Sequence, residues 1–321
     1  MGTREWLRSL PGLVVCGGLT GDGPTREVWR LGLERLVWER LPNLLTRPRG
    51  GHACCVVLGG TLVALGGMVD PFAMPGGFTA SVEVQDTRAA GDAALSRELP
   101  QLSCGSIYLG RALVGEQSES EAGQVLLLGG LFIPSPGAFM QSSEAWDVDL
   151  ATGVCTPRPP LGHARSGFAV ARLPGGRVVC VGGAAGGGAA PEMWEPTLGT
   201  WRDLPAMSAG RYGAAGCVLS DGRFAILGGT DAAGDHTSSC AALVLDGTER
   251  WESVPPMRRA RCGCAAAAVG GCVIVTGGAA VQGGASLRSV EVYEEAAGVW
   301  RRLRPACNLP RELCWMGTAL L

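Results

Sequence analysis

Arg261-Cys-Gly-Cys-Ala-Ala-Ala-Ala-Val-Gly-Gly-Cys-Val-Ile-Val-Thr-Gly-Gly278 decides how the rest of the chain is read. Two apolar runs flank Gly270-Gly271, which reads as a β-hairpin with a primed turn. The second run ends in a glycine pair. That ending recurs upstream five times: Leu13-Val-Val-Cys-Gly17-Gly18, Leu62-Val-Ala-Leu-Gly66-Gly67, Val125-Leu-Leu-Leu-Gly129-Gly130, Val178-Val-Cys-Val-Gly182-Gly183 and Phe224-Ala-Ile-Leu-Gly228-Gly229. Successive pairs are 49, 63, 53, 46 and 49 residues apart, the spacing of a unit of four short strands.

Other residues keep step with the glycine pairs. Arg49, Arg165 and Arg211 each stand 17 residues before theirs and Arg261 stands 16 before, within Arg49-Gly-Gly51, Arg165-Ser-Gly167, Arg211-Tyr-Gly213 and Arg261-Cys-Gly263. Downstream comes Glu-x-aromatic, as Glu27-Val-Trp29, Glu144-Ala-Trp146, Glu192-Met-Trp194 and Glu291-Val-Tyr293. A second tryptophan follows at Trp38, Trp201, Trp251 and Trp300, then Leu-Pro or Pro-Pro, as at Pro159-Pro160, Leu204-Pro205 and Pro255-Pro256. Weaker units substitute Glu83-Val-Gln85 and Leu243-Val-Leu245 for Glu-x-aromatic, and Ser103-Cys-Gly105 for Arg-x-Gly.

This order of hairpin, Gly-Gly, Glu-x-Tyr/Trp, Trp and Pro resembles the kelch repeat over nearly the whole chain. The resemblance implies an all-β fold: a six-bladed β-propeller with one four-stranded antiparallel blade per repeat. The expected blades are 12–42 plus 311–321, 49–100, 103–158, 165–205, 211–256 and 261–305. The first glycine pair has no hairpin partner before it, whereas the C-terminus supplies Pro310-Arg311-Glu-Leu-Cys-Trp-Met-Gly-Thr-Ala-Leu-Leu321. Residues 311–321 are therefore expected to form the inner strand of blade 1 and close the ring, pairing edges that would otherwise invite aggregation. Six repeats are expected to account for 1–321, with no segment of this sequence expected to form the BTB or F-box domains that accompany many kelch propellers.

Composition narrows the function. Charged residues make up 17% of the chain and the formal net charge is −2, which gives no footprint for nucleic acid or an anionic membrane. No apolar run is long enough to span a bilayer, and the N-terminus lacks the pattern of a secretory signal. The 13 cysteines include no CxxC and suit reduced thiols in a cytoplasmic protein, with the nucleus as a second compartment. All 27 basic residues are arginine, which excludes Schiff-base and P-loop lysine chemistry. His52, His163 and His236 show no metal-ligand spacing, so no cofactor or metal is expected.

The resemblance also frames the site. In kelch adaptors of cullin ubiquitin ligases, arginines at this repeat position grip acidic peptides. Arg49, Arg165, Arg211, Arg261 and Arg311, with Ser103 in the sixth place, are expected around one channel mouth, where guanidinium suits carboxylate or phosphate. The same arginines could instead pair with backbone or with the repeated glutamate. The loops after Gly66-Gly67 and Gly129-Gly130 are long and carry Phe72, Met74, Phe78, Phe132, Phe139 and Met140, a candidate apolar patch beside that rim. The expected function is a monomeric, non-enzymatic protein-interaction module or scaffold that binds an acidic or phosphorylated peptide, a ubiquitin-ligase substrate receptor being one form. The alternative is a propeller enzyme such as a sialic-acid or sugar mutarotase, with arginine and glutamate facing the funnel. A galactose-oxidase-like centre lacks its tyrosines and histidines.

Overall fold

A computed structural model describes residues 12–41, 45–57, 61–70, 72–73, 77–86, 97–99, 112–116, 123–135, 138–183 and 190–320. Six antiparallel four-stranded sheets form the blades of a propeller. Blade 6 runs outward from Ala265–Val269 through Cys272–Thr276 and Val290–Glu294 to Val299–Arg302. Blade 1 has the order Gly317–Leu320, Leu13–Cys16, Val28–Gly32, Val37–Arg40. Its inner strand therefore comes from the C-terminus, with Cys16 opposite Gly317 and Leu13 opposite Leu320, as the sequence predicts.

The second strand of each blade is apolar on both faces because neighbouring blades cover both. Leu13–Cys16, Val178–Val181 and Phe224–Leu227 are buried at every position. Side chains from adjacent blades merge into continuous clusters: Val14 with Leu62 between blades 1 and 2, Val63 with Val125 between 2 and 3, Leu126 with Cys180 between 3 and 4. Val179 joins Ile226 between 4 and 5, Ala225 joins Val275 between 5 and 6, and Ile274 joins Leu13 between 6 and 1. The core is a closed ring of six such seams, so no blade buries its faces alone.

The glycine pairs knit these seams. Both glycines of each pair have positive φ, for example 55° and 106° at Gly17-Gly18 and 66° and 84° at Gly277-Gly278, a conformation that glycine adopts without a Cβ clash. The second glycine donates its N–H across the seam: Gly18 to the Arg49 carbonyl, Gly130 to Arg165, Gly183 to Arg211, Gly229 to Arg261 and Gly278 to Leu313, at 2.7–2.8 Å. A Cβ on Gly17, Gly129 or Gly277 would come within 2.6 Å of the same carbonyl.

The outer tryptophans work in the same direction. Trp201, Trp251 and Trp300 donate Nε1–H to the carbonyls of Pro159, Pro205 and Pro255 in the preceding blade, at 2.7–3.0 Å. Trp38 makes the corresponding bond to Cys307 across the closing seam, at 3.0 Å. The recurrent Trp and the recurrent Pro segment are thus two halves of one inter-blade contact.

Candidate functional site

The repeated arginines enter each blade at the end that carries the glycine pairs, but they turn inward. Arg49, Arg165 and Arg261 are fully buried. Arg261 donates to the carbonyls of Gly277 and Ser289, to Ser289 Oγ and to Glu291 Oε1, at 2.7–3.0 Å. Arg49 makes the same set with Gly66, Ser81 and Glu83, and Arg165 pairs with Glu192 and the carbonyls of Gly182 and Ala190. The glutamates also accept from the incoming loop, as Glu192 does from the N–H groups of Gly162 and His163. Arg211 is buried against Gly228 and Ser239 and forms no ion pair among the described residues, and burial lowers its pKa.

The expected ring of five guanidiniums around the mouth is therefore corrected. Charged groups taken from water need partners, and these repeats supply the partners inside the blade. Ser103, in the sixth place, lies outside the described residues. Arg311 is corrected for a different reason. The carbonyl that receives the Gly278 N–H belongs to Leu313, so Leu313 occupies the arginine position of blade 1. Arg311 lies two residues earlier, is 40% exposed, and meets Glu27 at 3.3 Å.

The glutamate motif also changes register. Glu83, Glu192 and Glu291 pair with the second-strand residue two before the first glycine: Ala64, Cys180 and Val275. In blades 1 and 3 that partner position faces Trp29 and Trp146 instead. Glu27 and Glu144 lie two residues nearer the glycines and accept from their own tryptophans' Nε1, at 3.1 and 3.4 Å. In blade 5 Ala241 faces Ile226 at the glutamate position, and Leu243 takes the aromatic's place. The same letters, Glu-x-Trp, thus mean two different placements.

Above the arginine layer, one residue from each of five repeats forms a hydrogen-bonded arc around the channel mouth. Gly51 donates to the Trp315 carbonyl, Trp315 to Gly263, Gly263 to Gly213 and Gly213 to Gly167, at 2.7–2.8 Å. All five have φ between 52° and 65°. Four are glycine; Trp315, at 52°, is not. A left-handed conformation costs a non-glycine residue roughly 1–2 kcal/mol. Its neighbours make room for the indole: a Cβ on Gly213 or Gly263 would stand 2.6 or 2.9 Å from the Trp315 ring. Tyr212, 36% exposed, lies beside it with ring centroids 5.5 Å apart, and burial raises its hydroxyl pKa. Trp315 was not singled out in the sequence, although the absence of glycine at that repeat position marks it.

The post-Gly-Gly loops flank this mouth, held beside the entering loops by bridges such as Gly50–Met68, Tyr212–Thr230 and Leu19–Cys314. Phe72 is 93% exposed, Met140 52% and Phe139 46%. Phe78 departs from the expected patch: it is buried where it bridges to Met68. The backbone of Phe132 pairs with Met140 in a hairpin of Leu131–Ser135 with Ala138–Gln141. Met74 and the insertion at 117–122 lie outside the described residues.

Of the histidines, His163 meets Asp203 at 3.3 Å and His236 meets the Ala279 carbonyl at 3.0 Å. Among the described residues there is no metal-ligand cluster, and no helix is long and apolar enough to cross a membrane.

The fold and its ladder of Gly-Gly, Arg–Glu and Trp contacts define a six-bladed propeller built from kelch repeats. The family model for the kelch motif matches residues 260–306, which is blade 6. An F-box/kelch-repeat protein of Arabidopsis thaliana is 29% identical over 148 residues, 44% of this chain and 39% of the relative. Adagio-like protein 1 of Oryza sativa subsp. japonica is 28% identical over 247 residues, 68% of this chain and 37% of the relative. The matched part is thus less than two fifths of either relative's length. With six blades and these repeats, the chain is a kelch-repeat β-propeller protein, and its fold is that of a protein-interaction module.

Proposed function

We propose that this propeller docks a partner protein on the face around the channel mouth, with Trp315 and Tyr212 at the centre and Phe72, Phe139 and Met140 in the flanking loops. The observation that carries this reading is Trp315, an aromatic side chain held at φ 52° where four other repeats use glycine. Strain kept at a partly exposed aromatic points to use, and aromatic anchors dominate interface energetics. An acidic or phosphorylated peptide drew its support from the arginine ring. With Arg49, Arg165 and Arg261 buried, the recognition chemistry shifts toward apolar anchoring, with Arg311 as a flanking cation.

The F-box in the name of the Arabidopsis relative supports a ubiquitin-ligase substrate receptor as the setting in which this face works. The inward turn of the Arg–Glu pairs favours binding over sugar mutarotation, because the channel wall is then made by residues such as Cys54, Val56, Val170, Val218 and Ala266, with His52 and Arg172 but no glutamate among the described residues. Trp315→Gly restores the glycine of the other repeats and removes the indole. Affinity purification should recover a specific partner set with the native chain and lose it with Trp315→Gly and with Phe72→Asp, both still folded. Equal recovery by all three chains overturns the reading.

A further inference from the structure

The seam between blades 1 and 2 holds a side-chain cluster that the interaction reading does not use. Cys16 ends the second strand of blade 1 and is fully buried. Its Sγ lies 3.3 Å from Cys54 Sγ, on the inner strand Ala53–Val57 of blade 2, and 3.3 Å from His52 Nε2. The three groups meet because Gly317 has no side chain. A Cβ there would stand 2.5 Å from Cys54 Cβ, 2.6 Å from His52 Nε2 and 2.8 Å from Cys16 Sγ. Gly317 pairs with Cys16 in the closing strand, so the cluster is complete only when the ring is closed. His52, Cys54 and Gly317 line the central channel, which gives a small solute a route to the pair.

The two thiols are unequal. The hydrogen bond from Cys54 holds the Cys16 thiol down at about 5, helped by His52 and the Arg49 charge, although burial opposes it. Cys54 is pushed well up by its bond to Cys16 and by burial. The adjacent Cys55 is pushed up to about 12 by burial. A thiolate beside a protonated second thiol is the arrangement of an oxidisable pair with its own resolving cysteine.

We propose that Cys16 and Cys54 are a peroxide-oxidised pair that closes to a disulfide between blades 1 and 2. With its proton on His52 Nε2, the Cys16 thiolate attacks one oxygen of hydrogen peroxide. The O–O bond breaks, and the departing hydroxide takes the His52 proton and leaves as water. Cys16 is then a sulfenic acid. Cys54 sulfur attacks Cys16 sulfur, the S–S bond forms, the S–O bond breaks, and the leaving hydroxide takes the Cys54 proton. Two thiols and one peroxide give one disulfide and two waters; the sulfurs lose two electrons and the peroxide gains them. The bond ties the strand that receives the C-terminal closing segment to the next blade.

The test is hydrogen-peroxide titration of the reduced full chain, followed by intact mass and non-reducing peptide mapping. The expected result is a Cys16–Cys54 cross-link that forms roughly tenfold faster than any other thiol reacts. It is reversed by dithiothreitol and raises the thermal midpoint by roughly 3–5 °C. Cys54→Ala removes the hydrogen bond that favours the Cys16 thiolate, so Cys16 should oxidise more slowly than in the native chain and stop at a sulfenic acid that dimedone traps, with no disulfide. Cys16→Ala should leave Cys54 unreactive at the same peroxide concentration. Mapping of the native chain decides the matter even where a variant folds poorly. Oxidation elsewhere before Cys16, or a folded chain that yields no Cys16–Cys54 cross-link, overturns the proposal.

Discussion

Blades 6 and 1 are neighbours in the ring and fill the same internal slot with opposite chemistry. In blade 6 a fully buried guanidinium, Arg261, spans the glycine turn and the third strand, with Glu291 beside it. In blade 1 the arginine position is Leu313 and the glutamate position is Trp29. Leu313 is buried among Val15, Leu309 and Met316, with Trp29 against that cluster. Blade 3 follows blade 1 at the position that is described, with Trp146 in the glutamate slot. The slot accepts an ion pair, as in blades 2, 4 and 6, or an apolar pair, as in blade 1, and in these four blades both members agree. Buried pairs elsewhere behave this way: one unpaired charge is costly, while exchange of both members is tolerated.

Ring closure is where this comparison breaks most completely. Deleting residues 317–321 removes the inner strand of blade 1 and exposes both the Leu13–Cys16 strand and its seams with blades 2 and 6. Circular dichroism and gel filtration should show no cooperative melting and no discrete monomer. A deletion chain that melts like the full one would mean that blade 1 stands without its fourth strand. Next in size is the slot itself. Glu291→Leu leaves Arg261 buried without its carboxylate and should cost about 3–5 kcal/mol in chemical denaturation. The double exchange Arg261→Leu with Glu291→Trp copies blade 1 and should recover more than half of that loss. If the double variant is worse than the single one, the two blades are not interchangeable solutions.

The tryptophan contacts give a smaller effect of the same kind. Trp300→Phe removes the Nε1–H that satisfies the Pro255 carbonyl and should cost about 1–3 kcal/mol. Trp38→Phe removes the matching bond to Cys307 at the closing seam. Its loss should fall in the same range, because the geometry is shared although Cys replaces Pro. A clearly larger loss at Trp38 would show that the seam joining the two chain ends depends on this bond more than the others do.

How far the sequence carried these features depended on whether a residue type answers to one physical demand. The glycine pairs were legible because two successive positive φ values leave glycine as the unstrained choice, so Gly17-Gly18 through Gly277-Gly278 mark every blade. The closing strand was legible because the first pair lacks a hairpin partner. Register within the third strand was not. Glu27-Val-Trp29 and Glu291-Val-Tyr293 share a pattern but sit one side-chain alternation apart, and only the pairing of Val15 with Trp29 against that of Val275 with Glu291 separates them. Arg311 misled in the same way: it is an arginine close to where one is expected, and the hydrogen bond from Gly278 identifies Leu313 instead. The direction of the other arginines was open because guanidinium serves an internal carboxylate and an external one equally well; the buried glutamates resolve it inward.

Blade 5 offers the finest probe of the slot, because it is half filled. Arg211 retains the contacts to Gly228 and Ser239, yet Ala241 stands where Glu83, Glu192 and Glu291 stand. Among the described residues the Arg211 Nε finds no hydrogen-bond partner, and burial disfavours the charged form of this side chain. Ala241→Glu supplies the missing carboxylate on a strand whose backbone already matches that of blade 6. The gain from a new charge-assisted bond is partly offset by desolvation of the added carboxylate, so the net effect should be a stabilisation of about 1 kcal/mol at neutral pH. A carboxylate paired with Arg211 has a folded-state pKa below its unfolded value. The gain is therefore present above pH ~4.3 and lost as pH falls through the lower folded value. Denaturant midpoints at neutral and acid pH measure both parts. A destabilised variant at neutral pH would mean that blade 5 has repacked around the bare arginine and that its slot is closed to the pair.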